Sequence, residues 1–475
     1  MMTAARQGRS LGGVVVLCTA MGGCAPAPET APPAGDAAAF AFRNAVTEPP
    51  PGWAGPVFQL SRNYPATHPG ECPRSVCTWL DASVTFTTPS DSVLPDWTNG
   101  PWADYIGRIL TYVRQGQDPQ LSNEAGFRVQ VDGATRWFHV PWMAYDPTAG
   151  REFVHGTTNE RTAHLADLVG DGVGFGTHLL MGTSTSCTEA NKFGFESWSV
   201  GFYNEWGAWS IGQAFGSDGR PRIGVYLGSA MPQGLPFPEG TVVAKVLTTS
   251  TPVECAPFLR GAPEWQVHRH RSTAEAGFAC EREVQMSLVV QLDVAVVDLR
   301  SPSRWVYGTF AYDGRIRADN AWDRMVPVGL QWGSDPMAYP AVPRDESRPV
   351  VQSVLNRSIS TYQHFGCEGR LAGPVDNPAS SCVSCHASAF AAPDGAPSLM
   401  GTNVPPSFGF AGLCEFNSRD NANYFQNIVP PMSYSGGQFP NALSLDTSLQ
   451  LEVAFTEYGY FNTQGAPQAC TSPNQ

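Results

Sequence analysis

Val284-Gln285-Met286-Ser287-Leu288-Val289-Val290-Gln291-Leu292-Asp293-Val294-Ala295-Val296-Val297-Asp298-Leu299 is the stretch whose reading decides the fold class. Valine and leucine recur through it with no glycine or proline, so it reads as one long strand, the backbone state in which β-branched side chains pack best. Further alternating or β-branched runs lie on its N-terminal side, at residues 83–88, 128–131, 137–140, 197–203, 222–227 and 241–249. Two more follow it, at residues 305–312 and 326–332. Turn signals such as Asp132-Gly133 and Asp313-Gly314 separate several of them. Two helices interrupt the pattern. Pro101 opens the first, where Trp102, Tyr105, Ile106, Ile109, Leu110 and Val113 recur at helical spacing before Gly116. The second is expected near the end, where Thr447 and Gln450 have capping-box spacing and Gly459 closes the pattern. The expected fold is mainly β, a β-rich α+β arrangement with a sheet core and few helices.

Composition agrees with that class. Charged residues are only 15% of the 475, while 48 glycines and 41 prolines supply turns. The net charge is −13, which argues against nucleic acid as a partner. Beyond the N-terminus, no segment has the eighteen or so unbroken apolar residues of a membrane helix.

The N-terminus reads as an export signal. Arg6 and Arg9 precede a short apolar run from Leu11 to Ala20, and Met21-Gly22-Gly23 lead into Cys24. Small residues before a cysteine resemble the bacterial lipoprotein cleavage box, in which the cysteine becomes the lipidated N-terminus. Residues 1–23 are then a signal peptide, and Cys24 anchors the mature chain to a membrane face through acyl chains. Loss of Arg6 and Arg9 with the leader takes the charge to −15. Ala25 is not the aspartate of inner-membrane retention, so the expected place is the outer membrane, facing the periplasm or the cell surface. Residues 24–51, with Pro26, Pro28, Pro32, Pro33 and Pro49 to Pro51, read as an extended tether. A β-rich domain is expected over 52–345 and a cofactor-bearing region over 346–475, packed on it.

That last region contains Cys382-Val383-Ser384-Cys385-His386. Two thiols at this spacing add across the two vinyl groups of one haem, and the next residue's imidazole becomes the proximal iron ligand. A zinc site would want a second Cys/His pair at ligand spacing, and a thioredoxin-like redox pair would want a strand before it. Neither is evident, so the expected cofactor is one covalently attached haem c. Of the twelve cysteines, Cys18 leaves with the leader, Cys24 takes lipid, and Cys382 and Cys385 take haem. The remaining eight make an even set, as disulfides in an oxidising compartment would give. Local pairing suggests Cys72 with Cys77 and Cys255 with Cys280; Cys367 with Cys414 is a further candidate.

The sixth position on the iron stays open in the sequence. Met432, within Val429-Pro430-Pro431-Met432, resembles the distal ligand of class I electron-carrier cytochromes, and Gly395-Ala396-Pro397-Ser398-Leu399 is similar to their proximal-side loop. Met ligation implies electron transfer with redox partner proteins. A second resemblance rests on Phe237 to Lys245 (FPEGTVVAK), Gly201-Phe202-Tyr203-Asn204 and Trp305 to Gly314 (WVYGTFAYDG). These are similar to segments of the lysine-cross-linked, hydroxylamine-oxidising cytochromes and the cytochrome c-prime-beta family, which are β-rich around the haem. This resemblance makes Lys245 a candidate distal amine or haem cross-link. It also implies a haem enzyme or gas-binding protein with an open site for nitric oxide or hydroxylamine. His139, His155, His178 and His364 are further candidates to approach the iron, and Arg151, Glu152 and His155 form a polar cluster. More broadly, residues 100–465 resemble large bacterial cytochrome c family proteins through Trp137 to Met143, Gly150 to Gly156, Gly373 to Pro378 and Ser444-Leu445-Asp446. No P-loop, G-x-S-x-G elbow or H-E-x-x-H helix is present. The tryptophans, Trp198, Trp206 and Trp209 among them, are read as core packing.

Overall fold

The strands, in chain order, are β1 (Phe138–His139), β2 (Thr158–Ala163), β3 (Phe195–Tyr203), β4 (Val242–Thr249), β5 (Glu264–His270), β6 (Arg282–Val297), β7 (Trp305–Tyr312), β8 (Met325–Gln331) and β9 (Ser353–Leu355). They form one nine-stranded antiparallel sheet, ordered β1-β3-β4-β6-β7-β8-β9, with β2 added on β3 and β5 on β6. A computed structural model describes residues 49–54, 60, 64–86, 96–115, 137–139, 158–163, 195–214, 236–270, 282–338, 350–359, 366–376, 380–387, 389–391, 424, 425, 427, 433, 434 and 442–452.

The long valine-rich run is β6, the spine of this sheet. Its sixteen residues pair with three strands. Leu288 faces Thr249 of β4 on one edge and Glu264 of β5 on the other. Residues 291–297 then pair with β7 on the edge shared with β5. The register sets which side chains meet, because successive residues point to opposite faces.

One face carries Val200 and Phe202 of β3, Val242, Ala244 and Val246 of β4, Leu292, Val294 and Val296 of β6, and Val306 and Phe310 of β7, all buried. Helix α1 (Pro101–Arg114) lays Tyr105, Ile106, Ile109, Tyr112 and Val113 on it. Burying each such side chain contributes about 1.5–3 kcal/mol. Pro101 fits the first turn, where its missing N–H costs nothing, and Asp104 and Arg114 complement the helix dipole at the two ends. An aromatic cluster seals the edge: Trp102 stacks on Trp332 at 4.6 Å, and Phe86 meets both rings edge-on. Of the strand expected at 83–88, residues 83–86 are not in a strand, with Val84 and Phe86 packed on this face, and 87–88 lie outside the described residues. Just before residue 83, the Arg300 guanidinium bonds the Ala82 and Trp79 carbonyls and the Asp298 carboxylate.

The opposite face carries Tyr203, Val243, Ala295, Val297, Trp305 and Tyr307, buried beneath Phe237, Val383, Leu445 and Leu451. Helix α2 (Glu205–Ala214) adds Ala208 and Ile211 to the same cluster. With both faces covered, the central strands read as nearly unbroken apolar runs.

Among the described residues the molecule is therefore mainly β with few helices, as expected. The sheet continues through β9 beyond the expected boundary at 345. A three-stranded sheet follows, ordered β10-β12-β11 from β10 (Phe390–Ala391), β11 (Ser433–Tyr434) and β12 (Ala442–Ser444). No helix among the described residues is long and apolar enough to cross a membrane. The C-terminal helix begins differently from the expectation. Residues 449–452 are helical, but the cap is Ser448, whose Oγ accepts from Leu451 N at 3.3 Å. Thr447 instead sits at a positive φ of 65°, outside the helix. The expected strands at 128–131 and 222–227 lie outside the described residues, as does Gly459.

Candidate cofactor site

The cysteine–histidine motif forms one turn of helix, α3 (Cys382–His386). Helical spacing places Cys382, Cys385 and His386 at i, i+3 and i+4, on one side of that turn. A five-residue helix has little stability of its own, so its first amides are held by the body of the protein. Cys382 N donates to the Leu371 carbonyl at 2.8 Å, and Val383 N to the side-chain oxygen of buried Gln331 in β8 at 3.2 Å. Val383 is buried in the cluster beneath the helix.

The six described cysteines divide by role. Cys72 and Cys77 form a disulfide, the expected local pair. Cys255 and Cys367 are also disulfide-bonded, to partners outside the described residues. Cys382 and Cys385 remain thiols. Burial pushes the Cys382 thiol well up from its ordinary range, helped by the nearby acidic groups of Asp376 and Asp293, so it stays protonated.

His386 is oriented on two sides. Its Nδ1 lies 2.9 Å from the Thr447 carbonyl, which fixes Nδ1 as the protonated nitrogen and Nε2 as the one a metal would take. Its ring packs on Tyr307 of β7, centroids 4.7 Å apart. The Tyr307 hydroxyl in turn donates to Thr447 Oγ1 at 2.7 Å.

Lys245 falls on this same sheet face. The register Lys245↔Asp293↔Thr309 places it, half-buried, across β6 and β7 from the residues that meet Cys382. Asp293 is the centre of a buried polar group. Thr309 Oγ1 donates to it at 2.8 Å, and Gln291 Nε2 reaches both its oxygens at 2.8 Å and Asp376 Oδ2 at 3.1 Å. Burial, then the charge of Asp376, push the Asp293 carboxyl up to about 8, against the opposing pull of Lys245 and the hydrogen bonds. Gln291 Oε1 also accepts from Val375 N, and Asp376 Oδ2 from Gly373 N, so this group ties loop 371–376 to the sheet immediately before α3.

The three short segments quoted above fall on β3, β4 and β7 of one sheet, with β6 between the last two, and their Tyr203, Lys245 and Tyr307 share the motif's face. Cys24, Met432, His155, His178, His364, Arg151 and Glu152 lie outside the described residues. His139 is in β1, opposite Phe202. Trp198 and Trp206 are buried, and the Trp206 indole donates to Gly70 O at 2.9 Å. Among the described residues no group of three or more His, Cys, Asp or Glu side chains is arranged to hold a metal ion.

The sequence presents Thr447 only as a helix cap and Tyr307 only as part of a strand segment, and it does not single out Asp293 or Gln291. A carboxylate amid the valines of β6 was a usable signal, since burying a charge is costly without partners or a purpose. Nothing local marks Thr447 as a partner of His386, a contact made across 61 residues. Comparison with known proteins gives no match to a family model, a curated protein or a solved structure.

Proposed function

We propose that this chain is an exported, lipid-anchored mono-haem c-type cytochrome acting in electron transfer. The observation that supports it best is the arrangement on α3: two thiols on one helical face, excluded from the disulfides, beside an imidazole already oriented through Nδ1. That donor set fits haem c, with Cys382 and Cys385 as attachment points and His386 Nε2 as proximal ligand. When bound, haem would supply one-electron exchange with redox partner proteins. The chain's part is to bury the attachment side against β7 and β8, hold the imidazole, and exclude water through Tyr307, Val383 and Leu445. Export with lipidation at Cys24 accords with haem attachment and disulfide formation outside the cytoplasm.

A second reading is favoured by one observation, the register that puts Lys245 beside Asp293 on the motif's face of the sheet. The amine of half-buried Lys245 is what a distal ligand or cross-link would use, in a haem enzyme or gas-binding protein with an open distal site for nitric oxide or hydroxylamine.

Expression of the mature chain with a haem-attachment system tests both. Haem staining after denaturation should be positive and lost in Cys382→Ala/Cys385→Ala; a negative result for the unaltered chain defeats the haem assignment. A sulfur-to-iron charge-transfer band abolished by Met432→Ala supports the electron carrier. A high-spin ferrous spectrum shifted by nitric oxide selects the second reading instead, and a red-shifted Soret band lost in Lys245→Arg would establish the cross-link.

A further inference from the structure

The turn that meets His386 is unusual backbone. Asp446 and Thr447 are consecutive non-glycine residues at positive φ, 50° and 65°. Each such residue costs about 1–3 kcal/mol, with β-branched threonine among the least tolerant, so surrounding contacts must impose the conformation. They are visible. The buried Asp446 carboxylate accepts from Phe237 N at 2.7 Å and faces Arg304 at 3.6 Å. Asp446 N donates to Ser444 Oγ at 3.1 Å. Tyr307 holds the other residue, with its hydroxyl 2.7 Å from Thr447 Oγ1 and 3.5 Å from the Thr447 carbonyl. That carbonyl is the group bonded to His386 Nδ1.

We infer that Tyr307 and the Asp446-Thr447 turn are a positioning device for the His386 imidazole, through which the β-sheet sets the electron donation of the proximal ligand; the inference rests on the haem reading above. An acceptor on Nδ1 makes the imidazole more basic at Nε2 and favours the ferric over the ferrous iron. Tyr307 acts through Thr447 and is a positioning residue. Its ring keeps the imidazole plane in place, and its hydroxyl keeps the carbonyl aimed at Nδ1.

The test uses the haem-loaded full chain and the variants Tyr307→Phe, Thr447→Val, Thr447→Ser and the double variant Tyr307→Phe/Thr447→Val. Tyr307→Phe and Thr447→Val should each raise the midpoint potential, by up to about a tenfold change in ferric preference, which is about 59 mV for one electron. They should also change the g-values of the ferric haem in the same way. Thr447→Ser keeps the hydroxyl and should restore the unaltered values. The double variant should shift no further than either single one, because both break the same link. Equal haem content with an unmoved potential in Tyr307→Phe overturns the inference and leaves the haem assignment standing. Additive shifts overturn it as well. Absence of covalent haem in the unaltered chain removes the haem reading itself, so the two failures are distinct.

Discussion

Replacing Asp293 by Asn should make the protein less sensitive to alkaline pH. In the folded chain burial pushes this carboxyl to about 8, whereas the ordinary value is 3.8. The group therefore binds its proton more tightly folded than unfolded. Between those two values the folded state holds the extra proton, so stability falls as pH rises from about 4 to about 8 and levels off above that. Each unit corresponds to about 1.36 kcal/mol, and the interval up to neutral pH makes the penalty on the order of 2–4 kcal/mol. Asparagine has nearly the same shape, and its Oδ1 still accepts from Thr309 Oγ1 and Gln291 Nε2. It carries no charge in either state, so this penalty disappears. Urea denaturation followed by far-ultraviolet circular dichroism at pH 5, 7 and 9 measures the effect. The unaltered chain should lose about 2–4 kcal/mol more than Asp293→Asn between pH 5 and 9. Asp446, whose carboxyl is raised to about 6 chiefly by burial, contributes in the same direction but cancels in the comparison. Parallel pH profiles, or a steeper one for the variant, would refute the reasoning.

Two further outcomes concern the covered face of the sheet. Gly240 has φ of 88°, and an added Cβ would collide with Cys72 Cβ and lie 2.9 Å from Cys77 Sγ. Gly240→Ala should cost about 2–5 kcal/mol from backbone strain and overpacking, and leave more Cys72 and Cys77 thiol accessible to alkylation. Tyr105→Phe removes the 3.0 Å hydrogen bond to the buried Asp298 carboxylate and leaves that oxygen to the Arg300 guanidinium. A loss of about 1–2 kcal/mol in urea is expected, with no change in any haem spectrum, because this contact lies on the face opposite α3.

The most legible parts of the sequence were those where local pattern and tertiary burial agree. The strand at 305–312 and the helix opened by Pro101 match their expected positions, and β6 is displaced by only two residues. A strand buried on both faces has little choice but to be apolar, and a helix with proline at its start announces its boundary. Strand β5 escaped notice because Glu264-Trp265-Gln266-Val267-His268-Arg269-His270 carries only Trp265 and Val267 as apolar alternates. Helix α2 escaped because glycines and tryptophans have weak helix propensity. Its usable signal was Asn204, whose Oδ1 accepts from Gly207 N as an N-cap. The same division holds at the site. Cys382, Cys385 and His386 are contiguous and readable together, whereas Tyr307 and Thr447 reach His386 only through the strand register and the C-terminal turn. No short-range pattern encodes that meeting.

The contact between Thr447 and His386 also has a bearing on timing. A chain crossing a membrane N-terminus first presents Cys72, Cys77 and strands β1 to β8 before the motif at 382–386, and the turn at 446–447 after it. Oxidants that close the Cys72–Cys77 bridge would meet Cys382 and Cys385 too. Once β7, β8 and the late turn have closed on α3, the half-buried Cys382 thiol is held protonated, and so is poorly reactive. If the pair carries haem as proposed, attachment belongs to the interval between the emergence of residue 386 and the docking of residues 446–447. Docking of that turn, which brings the Thr447 carbonyl to His386, would then also close the site to the maturation machinery.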